Sequence, residues 1–183
     1  IDLKYFKKSN FKKIINKKDK INIFFWDRGG LKIDDWIHVF DKKNINRIVY
    51  LDKPDPGRLS GYLDDKIKKK FKIKKIIIST MKKKNTLFLN YIKNCDVFVC
   101  PRKQEGIGMS LVEAIAYGKY TVSYNDATMN EYVHNDKLGL ILKHDKQKIK
   151  ISNIFKFQAY RNSYAISGYN NWLKQKKSIL FFF

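Results

Sequence analysis

The sequence predicts an α/β protein with a doubly wound, Rossmann-like parallel sheet, and two observations lead to this fold class. Six short apolar runs, rich in β-branched and aromatic residues, recur with their starts about 19–28 residues apart. Most of the gaps between them are long enough for a crossover helix. The runs are continuously apolar rather than alternating, as expected of strands that are buried on both faces of a sheet.

The predicted elements follow one another along the 183 residues. The strands are Ile21–Trp26, Arg47–Leu51, Lys75–Ser79, Asp96–Cys100, Tyr120–Tyr124 and Gly139–Lys143. The helices between them are Leu31–Asp41, Leu59–Phe71, Lys83–Asn94 and Gly108–Tyr117. One or two further helices are expected from Ile154 onward. Residues 1–20 are rich in Lys and weakly patterned, so we interpret them as a linker or irregular lead-in to one domain of residues 21–183.

The formal net charge of +22 favours nucleic acid or an anionic surface as a partner. Of the 39 basic residues, however, 34 are Lys and only five are Arg, the side chain that best reads bases and phosphates. The chain is also rich in Ile, Asn, Phe and Tyr, whose codons are A/T-rich, so the Lys content is consistent with genome bias. We therefore expect no specific nucleic acid partner and keep a non-enzymatic basic module, for nucleic acid or an anionic membrane, as the alternative.

Cysteine usage and hydropathy indicate the compartment. Cys95 and Cys100 bracket one predicted strand, where extended backbone holds them about 16 Å apart, too far for a disulfide. No apolar run approaches the roughly 18–20 residues of a membrane span, and residues 1–10 lack the apolar core of a secretory signal. We expect a cytoplasmic protein with two reduced thiols, and peripheral association with a membrane stays open. Because Ile1 is not Met, we also expect the chain to derive from a longer one.

The segment after the fourth predicted strand carries the strongest functional pattern. Gly106 and Gly108 flank Ile107 immediately before a predicted helix that ends at Gly118. Ligands bind outside the carboxyl ends of the strands in an open parallel sheet. Glycine lets the backbone approach a ligand closely, and a helix N-terminus presents unpaired N–H groups that suit a phosphate. This pattern alone is a weak indicator of phosphate binding.

Glu113 is the one charged residue in the apolar helical segment Met109–Tyr117. A helix that is apolar on nearly all sides is buried, and a buried carboxylate is costly without partners. The partner is either a donor within the protein or a ligand diol such as a ribose, and spacing alone favours neither. The other two glutamates of the chain, Glu105 and Glu131, lie in the same stretch of 27 residues.

Residues 101–142 resemble the donor-binding segment of the group-one, retaining nucleotide-sugar glycosyltransferases of GT-B fold. They read PRKQEGIGMSLVEAIAYGKYTVSYNDATMNEYVHNDKLGLIL. The pattern of that family is roughly P-S-x-x-E-G-F-G-L-x-x-L-E-A-M-A-x-G-x-P-V, followed by G-G-x-x-E-x-V and x-G-x-L. The spacing is preserved, and the matching residues are Pro101, Glu105, Gly106, Gly108, Leu111, Glu113, Ala114, Ala116, Gly118, Val122, Glu131, Val133 and Gly139.

The resemblance implies the C-terminal, donor-binding domain of a two-domain GT-B glycosyltransferase. Such a domain binds a nucleotide-diphosphate sugar, of UDP or GDP type, for retaining transfer of a hexosyl group without a metal or other cofactor. The acceptor, a glycan, lipid or protein, would bind a missing N-terminal domain, so we expect the isolated domain to be inactive. A sugar-nucleotide epimerase of the same GT-B fold is the alternative within this architecture.

The resemblance also implies which residues catalyse the reaction. Glu105 would lie beside the transferred sugar and its reacting centre. Arg28 and Lys32 would correspond to the basic pair that clamps the diphosphate and stabilises the departing charge. In this sequence the two lie four residues apart, against five in the family. Glu113 would hold the ribose hydroxyls, in agreement with the argument from its burial.

The remaining donor contacts are implied along the same segment and one neighbouring strand. Thr80 and Met81, after the third predicted strand, would lie near the base. Glu131 either caps a short helix or reaches the ligand. Four residues would offer backbone N–H groups to the pyrophosphate and the sugar, namely Gly106, Ile107, Gly108 and Met109.

Overall fold

The computed structural model describes residues 20–29, 31–53, 55–57, 63–71, 73–77, 84–104, 106, 108–143 and 147–180. The strands in these ranges are β1 (Ile21–Asp27), β2 (Ile45–Asp52), β3 (Ile73–Ile77), β4 (Val97–Val99), β5 (Tyr120–Tyr124) and β6 (Gly139–Leu142). The α-helices are α1 (Asp34–Ile37), α2 (Asp65–Lys70), α3 (Lys84–Asn94), α4 (Met109–Ala116), α5 (Ala127–Tyr132), α6 (Ile151–Lys156) and α7 (Gln158–Leu180). A short 3₁₀ helix, Lys42–Asn44, precedes β2.

The six described strands form one parallel sheet in the order β3-β2-β1-β4-β5-β6. The chain builds outward from β1 through β2 to β3, and then crosses back to place β4 on the other side of β1. The predicted doubly wound α/β fold is confirmed. The reversal creates a switch point between β1 and β4, where the two adjoining loops leave the sheet in opposite directions.

Both faces of the sheet are covered by helices, because strand side chains alternate between two apolar clusters. Phe25 of β1 packs against Trp36 of α1, with ring centroids 5.2 Å apart. Its neighbour Phe24 points to the opposite face and contacts Phe88 of α3 at 5.7 Å. Burial of each such side chain contributes about 1.5–3 kcal/mol relative to leaving it exposed, which explains why the central strands β1 and β4 are mostly apolar.

Helix α1 is shorter than the predicted Leu31–Asp41. Leu31 and Ile33 are buried before the helix begins, and Val39 and Phe40 are buried after it ends. The apolar pattern therefore comes from a four-residue helix and the two turns that flank it. Helix α5 has no counterpart among the predicted elements, and a short helix at Glu131 was only one of two alternatives. One or two terminal helices were expected from Ile154 onward, and the structure has two, α6 and α7, of which α6 begins at Ile151.

The two cysteines are free thiols, as predicted, and both are buried. Burial raises the pKa of the Cys95 thiol to about 12, so it stays protonated at neutral pH. None of the helices in the described ranges has the length and hydropathy needed to cross a bilayer.

Arg161 of α7 fixes the terminal helix to the carboxyl end of α4. Its guanidinium, 1% exposed, donates to the carbonyl oxygens of Gly118 at 3.1 Å and Lys137 at 3.2 Å. It also donates to the carbonyl of Ile154 and to Oε1 of Gln158, and its burial lowers the pKa to about 10. A cation beside the end of α4 complements the helix dipole, so α7 holds the helix whose other end adjoins the switch point.

Gly139 supplies a test of the β5–β6 packing. It pairs with Thr121, and a Cβ at this position would overlap the main-chain and hydroxyl oxygens of Thr121. We expect Gly139→Ala to lower the free energy of unfolding by about 1–3 kcal/mol, because backbone must shift to make room. Urea unfolding followed by circular dichroism measures this change.

Gly168 provides the matched control, since a Cβ added there meets nothing within 4 Å and the residue lies inside α7. Gly168→Ala should raise the free energy of unfolding by up to about 1 kcal/mol, through helix propensity. Equal effects of the two substitutions would contradict the packing of β6 against β5.

Candidate functional site

The candidate site lies at the switch point, where three loops leave the carboxyl ends of neighbouring strands. One loop follows β1 and carries Arg28, one follows β2 and carries Asp55, and one follows β4 and carries Arg102. Residues that are 27 and 47 positions apart in the chain meet here because β1 lies between β2 and β4. The sheet topology thus assembles the site from distant segments.

Asp55 bridges two arginines at this point. Its Oδ1 accepts hydrogen bonds from Nε and Nη2 of Arg28, at 3.0 and 2.8 Å. Its Oδ2 accepts one from Nη2 of Arg102. The three side chains keep 18–28% of their surface exposed, so the cluster is half-buried and reachable from solvent.

The β1 and β2 loops are held together around Arg28. The guanidinium lies over the Trp26 ring, 4.7 Å from its centroid, and the indole Nε1 donates to the carbonyl of Lys53 at 2.9 Å. The backbone N–H of Asp55 donates to the carbonyl of Arg28 at 3.2 Å. These contacts fix the position of the Arg28 guanidinium before any ligand arrives.

Asp27, which ends β1, is fully buried beneath this loop. Its Oδ1 accepts from the backbone N–H of Gly29 at 2.7 Å, and its Oδ2 accepts from the Tyr50 hydroxyl. Burial, followed by the hydrogen bond to Asp27, raises the pKa of Tyr50 far above its ordinary value. The phenol therefore stays a donor, and Asp27 shapes the turn that presents Arg28.

Helix α4 begins beside the same switch point. Gly108 adopts a left-handed conformation with φ of 59°, which favours glycine, and its carbonyl accepts from the N–H groups of Leu111 and Val112. Met109, the first helical residue, is 42% exposed. Ser110 is 5% exposed, and its hydroxyl has no hydrogen-bond partner in the described part of the chain. The first turn therefore offers backbone N–H groups to a ligand, whereas the Ser110 hydroxyl is buried.

Glu113 lies one turn into α4 and is half-buried. Burial raises the pKa of its carboxyl above the ordinary value of 4.5. Among the residues that the structure describes, none donates a hydrogen bond to this carboxylate or forms an ion pair with it. The sequence left two alternatives open for the partner of Glu113, a donor within the protein or a ligand diol. The described ranges contain no such internal donor.

A family model described as glycosyl transferases group 1 matches residues 57–167 of the chain. The chain belongs to this family. The matched residues are more than half of the protein and include α4, the loop before it and the sheet from β3 to β6. No curated protein matches the chain.

Family membership confirms the resemblance found in residues 101–142, and the parallel sheet agrees with one Rossmann-like domain of a GT-B enzyme. The group 1 glycosyl transferases act on donor and acceptor substrates, so the chain carries a glycosyltransferase domain. Arg28, Lys32 and Asp55 precede the matched residues, and their assignment depends on the geometry alone.

The structure brings together only part of the predicted site of this glycosyl transferase. Arg28, Gly108 and Met109 lie at the switch point with the first turn of α4. The backbone N–H of Lys32 donates to Asp35 at 2.8 Å, and its exposed side chain makes no contact with Arg28 or Asp55 within the described residues.

The other predicted site residues have less structural support. Gly106 is exposed in the loop before α4, and Glu131 is exposed near the carboxyl end of the short helix α5. Their roles stay predictions. Four predicted residues, Glu105, Ile107, Thr80 and Met81, lie outside the described residues.

Sequence reasoning missed Asp55 and Arg102 as site residues. Arg102 belongs to the segment that follows the fourth predicted strand, so its position was a signal that it faces the site. Asp55 lies three residues beyond the end of β2, and nothing in the spacing showed that its carboxylate would join two arginines.

The raised pKa of Glu113 predicts a pH-dependent gain in stability for Glu113→Gln. Below about pH 4.5 the carboxyl is protonated in both the folded and the unfolded chain, and the substitution changes little. As the pH rises through the raised folded pKa, wild-type protein loses the stability that the neutral carboxyl contributed, and the Gln variant does not. The gain should grow from pH 4 to pH 8 in urea unfolding.

Glu131→Gln is the control, because it makes the same change of charge at an exposed position. Its unfolding free energy should stay within about 0.5 kcal/mol of wild type at every pH. If Glu113→Gln shows the same small, pH-independent difference, burial does not raise the pKa of Glu113 and its half-buried position is wrong.

Proposed function

We propose that this domain binds a nucleotide-diphosphate sugar, of UDP or GDP type, as the donor for retaining transfer of a hexosyl group. The acceptor, a glycan, lipid or protein, binds a second, N-terminal domain of the full enzyme, and the isolated domain transfers no sugar. The observation that carries the proposal is Glu113, a half-buried carboxylate in the helix of the switch point with no donor in the described residues.

A ribose fits this carboxylate by its chemistry. The 2′ and 3′ hydroxyls are two adjacent donors, and a carboxylate presents two acceptor oxygens. Hydrogen bonds to a charged group contribute about 1.5–3 kcal/mol each, more than neutral ones. A ligand diol therefore supplies hydrogen-bond donors to the half-buried Glu113, for which the described residues offer none.

The diphosphate fits the first turn of α4 and the Arg28 guanidinium. A helix N-terminus favours an anion through its unpaired N–H groups and the positive end of its dipole. Cleavage of the bond between the sugar and the phosphate leaves negative charge on the diphosphate. Arg28 and the helix stabilise that charge as it develops, so no metal ion is required for leaving-group departure.

Glu105 completes the proposed site from the sequence. It lies three residues before Gly108 in the sequence, at the position of the glutamate in the family pattern. We assign it contact with the sugar and its reacting centre. A GT-B epimerase would use the same donor site, and product analysis with the full enzyme separates the two reactions.

Calorimetric titration with UDP and GDP tests the donor proposal. Wild-type protein should bind one of them, and Glu113→Ala should weaken that binding about 10–100-fold, since about 1.4 kcal/mol corresponds to tenfold. The 2′-deoxy form of the nucleotide should bind wild type more weakly, and it should lose less affinity than UDP or GDP when Glu113 is replaced.

Equal affinities of wild type and Glu113→Ala for the ribonucleotide would contradict the ribose assignment. Absence of binding to every nucleoside diphosphate would contradict the donor proposal itself. Circular dichroism and urea unfolding of each variant establish that any loss of affinity is not a loss of fold.

A second candidate function, association with an anionic membrane surface, is favoured by one cavity at the opposite, amino end of the sheet. The cavity has a volume of about 300 Å³ and is lined by Ile45 and Phe71 together with four lysines. Those lysines are Lys20, Lys42, Lys43 and Lys70. Basic side chains near an anionic bilayer contribute about 1 kcal/mol each, and salt screens the attraction.

Co-sedimentation with vesicles tests this second function. The protein should bind phosphatidylcholine vesicles that contain phosphatidylserine, with binding lost at high salt, and the pair Lys42→Gln and Lys43→Gln should weaken it several-fold. A control pair at two exposed lysines elsewhere, Lys143→Gln and Lys174→Gln, makes the same change of net charge. Equal effects of the two pairs would show that net charge, and not this cavity, attracts the protein to the vesicle.

A further inference from the structure

We propose that Arg102 is a second guanidinium of the diphosphate site, and that Asp55 is a positioning residue that holds Arg102 beside Arg28. The inference rests on the proposed donor binding and adds to it a residue that neither the family pattern nor the spacing assigns. The family pattern has Ser at the position after the proline, where this chain has Arg102.

The topology places Arg102 correctly for this role. Arg28 follows β1 and Arg102 follows β4, and these two strands are neighbours on either side of the switch point. Loops at a switch point diverge and leave a crevice between them, which is where ligands bind in open parallel sheets. The two guanidiniums therefore meet at this crevice, where Asp55 joins them.

The shared carboxylate holds the two cations close together. One oxygen of Asp55 bonds Arg28 and the other bonds Arg102. Two guanidiniums this near each other repel, and the carboxylate between them offsets that repulsion while it fixes both planes. Arg28 is also stacked on Trp26, which fixes its position in the β1 loop. Asp55 bonds both arginines and so holds Arg102 in place relative to Arg28.

The chemistry of the pair suits a diphosphate. Each guanidinium has five N–H donors in a planar fork that matches phosphate oxygens. Two guanidiniums share the one Asp55 carboxylate, so positive charge exceeds negative charge within this cluster and favours an anionic ligand. The side chains are 23% and 28% exposed, so a phosphate can reach them.

Lys32 does not supply the second cation in this structure. Its side chain is exposed and makes no contact with the arginine pair within the described residues, and it lies one residue nearer to Arg28 than the family spacing requires. Arg102 takes that place from the other side of the crevice. The proposal thus explains how the site keeps two cations although the spacing of the usual pair has changed.

The test compares affinities along the series of nucleoside, monophosphate and diphosphate, with uridine, UMP and UDP and the corresponding guanosine series as probes. Arg102→Gln should weaken diphosphate binding about tenfold and leave nucleoside binding unchanged, so the selectivity for the diphosphate falls. Arg102→Lys keeps the positive charge but loses the planar fork of donors. Its selectivity for the diphosphate should therefore lie between those of wild type and Arg102→Gln.

Arg47→Gln is the matched control. Arg47 is exposed near the amino end of β2, at the opposite end of the strand from the site, and its replacement changes the net charge equally. It should leave the diphosphate selectivity unchanged. Equal loss in Arg47→Gln and Arg102→Gln, or unchanged selectivity in Arg102→Gln, would overturn the role of Arg102.

Asp55→Asn tests the positioning role. It should weaken diphosphate binding several-fold in wild type and have little effect in the Arg102→Gln background, because the residue that it positions is then absent. Tighter binding in Asp55→Asn would show that the carboxylate competes with the ligand, and additive effects would show that it acts independently; either result overturns the positioning role.

Failure of this inference is distinguishable from failure of the donor proposal. If Glu113→Ala weakens UDP or GDP binding while Arg102→Gln does not alter the diphosphate selectivity, the donor site stands and Arg102 has no part in it. If wild-type protein binds no nucleoside diphosphate, both fail together. Urea unfolding of each variant separates lost contacts from lost folding.

Discussion

The reversal of strand order between β1 and β4 is the constraint on which the rest of the site depends. Because the sheet is buried on both faces, polar side chains can meet only where the strands end. The reversal directs the β1 and β4 loops away from each other. The carboxylate of Asp55, in the β2 loop, joins Arg28 of the β1 loop to Arg102 of the β4 loop. Helix α4 begins at the same place and is held from behind by Arg161.

The sequence predicted those parts of the fold that burial determines. The six apolar runs each overlap a described strand, and β5 has the predicted bounds, since strands covered on both faces are mostly apolar. Strand β3 begins two residues before its predicted run because its sequence, IKKII, contains two lysines. The predicted length of α1 was wrong because the buried apolar residues in its flanking turns have the spacing of one face of a helix. Helix α5 escaped prediction because it buries little besides Met129.

The candidate site was predictable where one segment carries it. Glu113 and Gly108 belong to a single loop and helix, so spacing alone placed them together. Asp55 and Arg102 are 47 residues apart, and their contact follows from the strand order β2-β1-β4, which no local pattern contains. The net charge of +22 gave little guidance, because the proposed donor site uses only the few cations that the topology gathers at the switch point.

The most direct test of the proposed donor site is a crystal structure of the domain with UDP or GDP bound. We expect both ribose hydroxyls within hydrogen-bond distance of the Glu113 carboxylate and the diphosphate against the first turn of α4 and Arg28. A nucleotide bound away from α4, for example in the lysine-lined cavity at the amino end of the sheet, would contradict it.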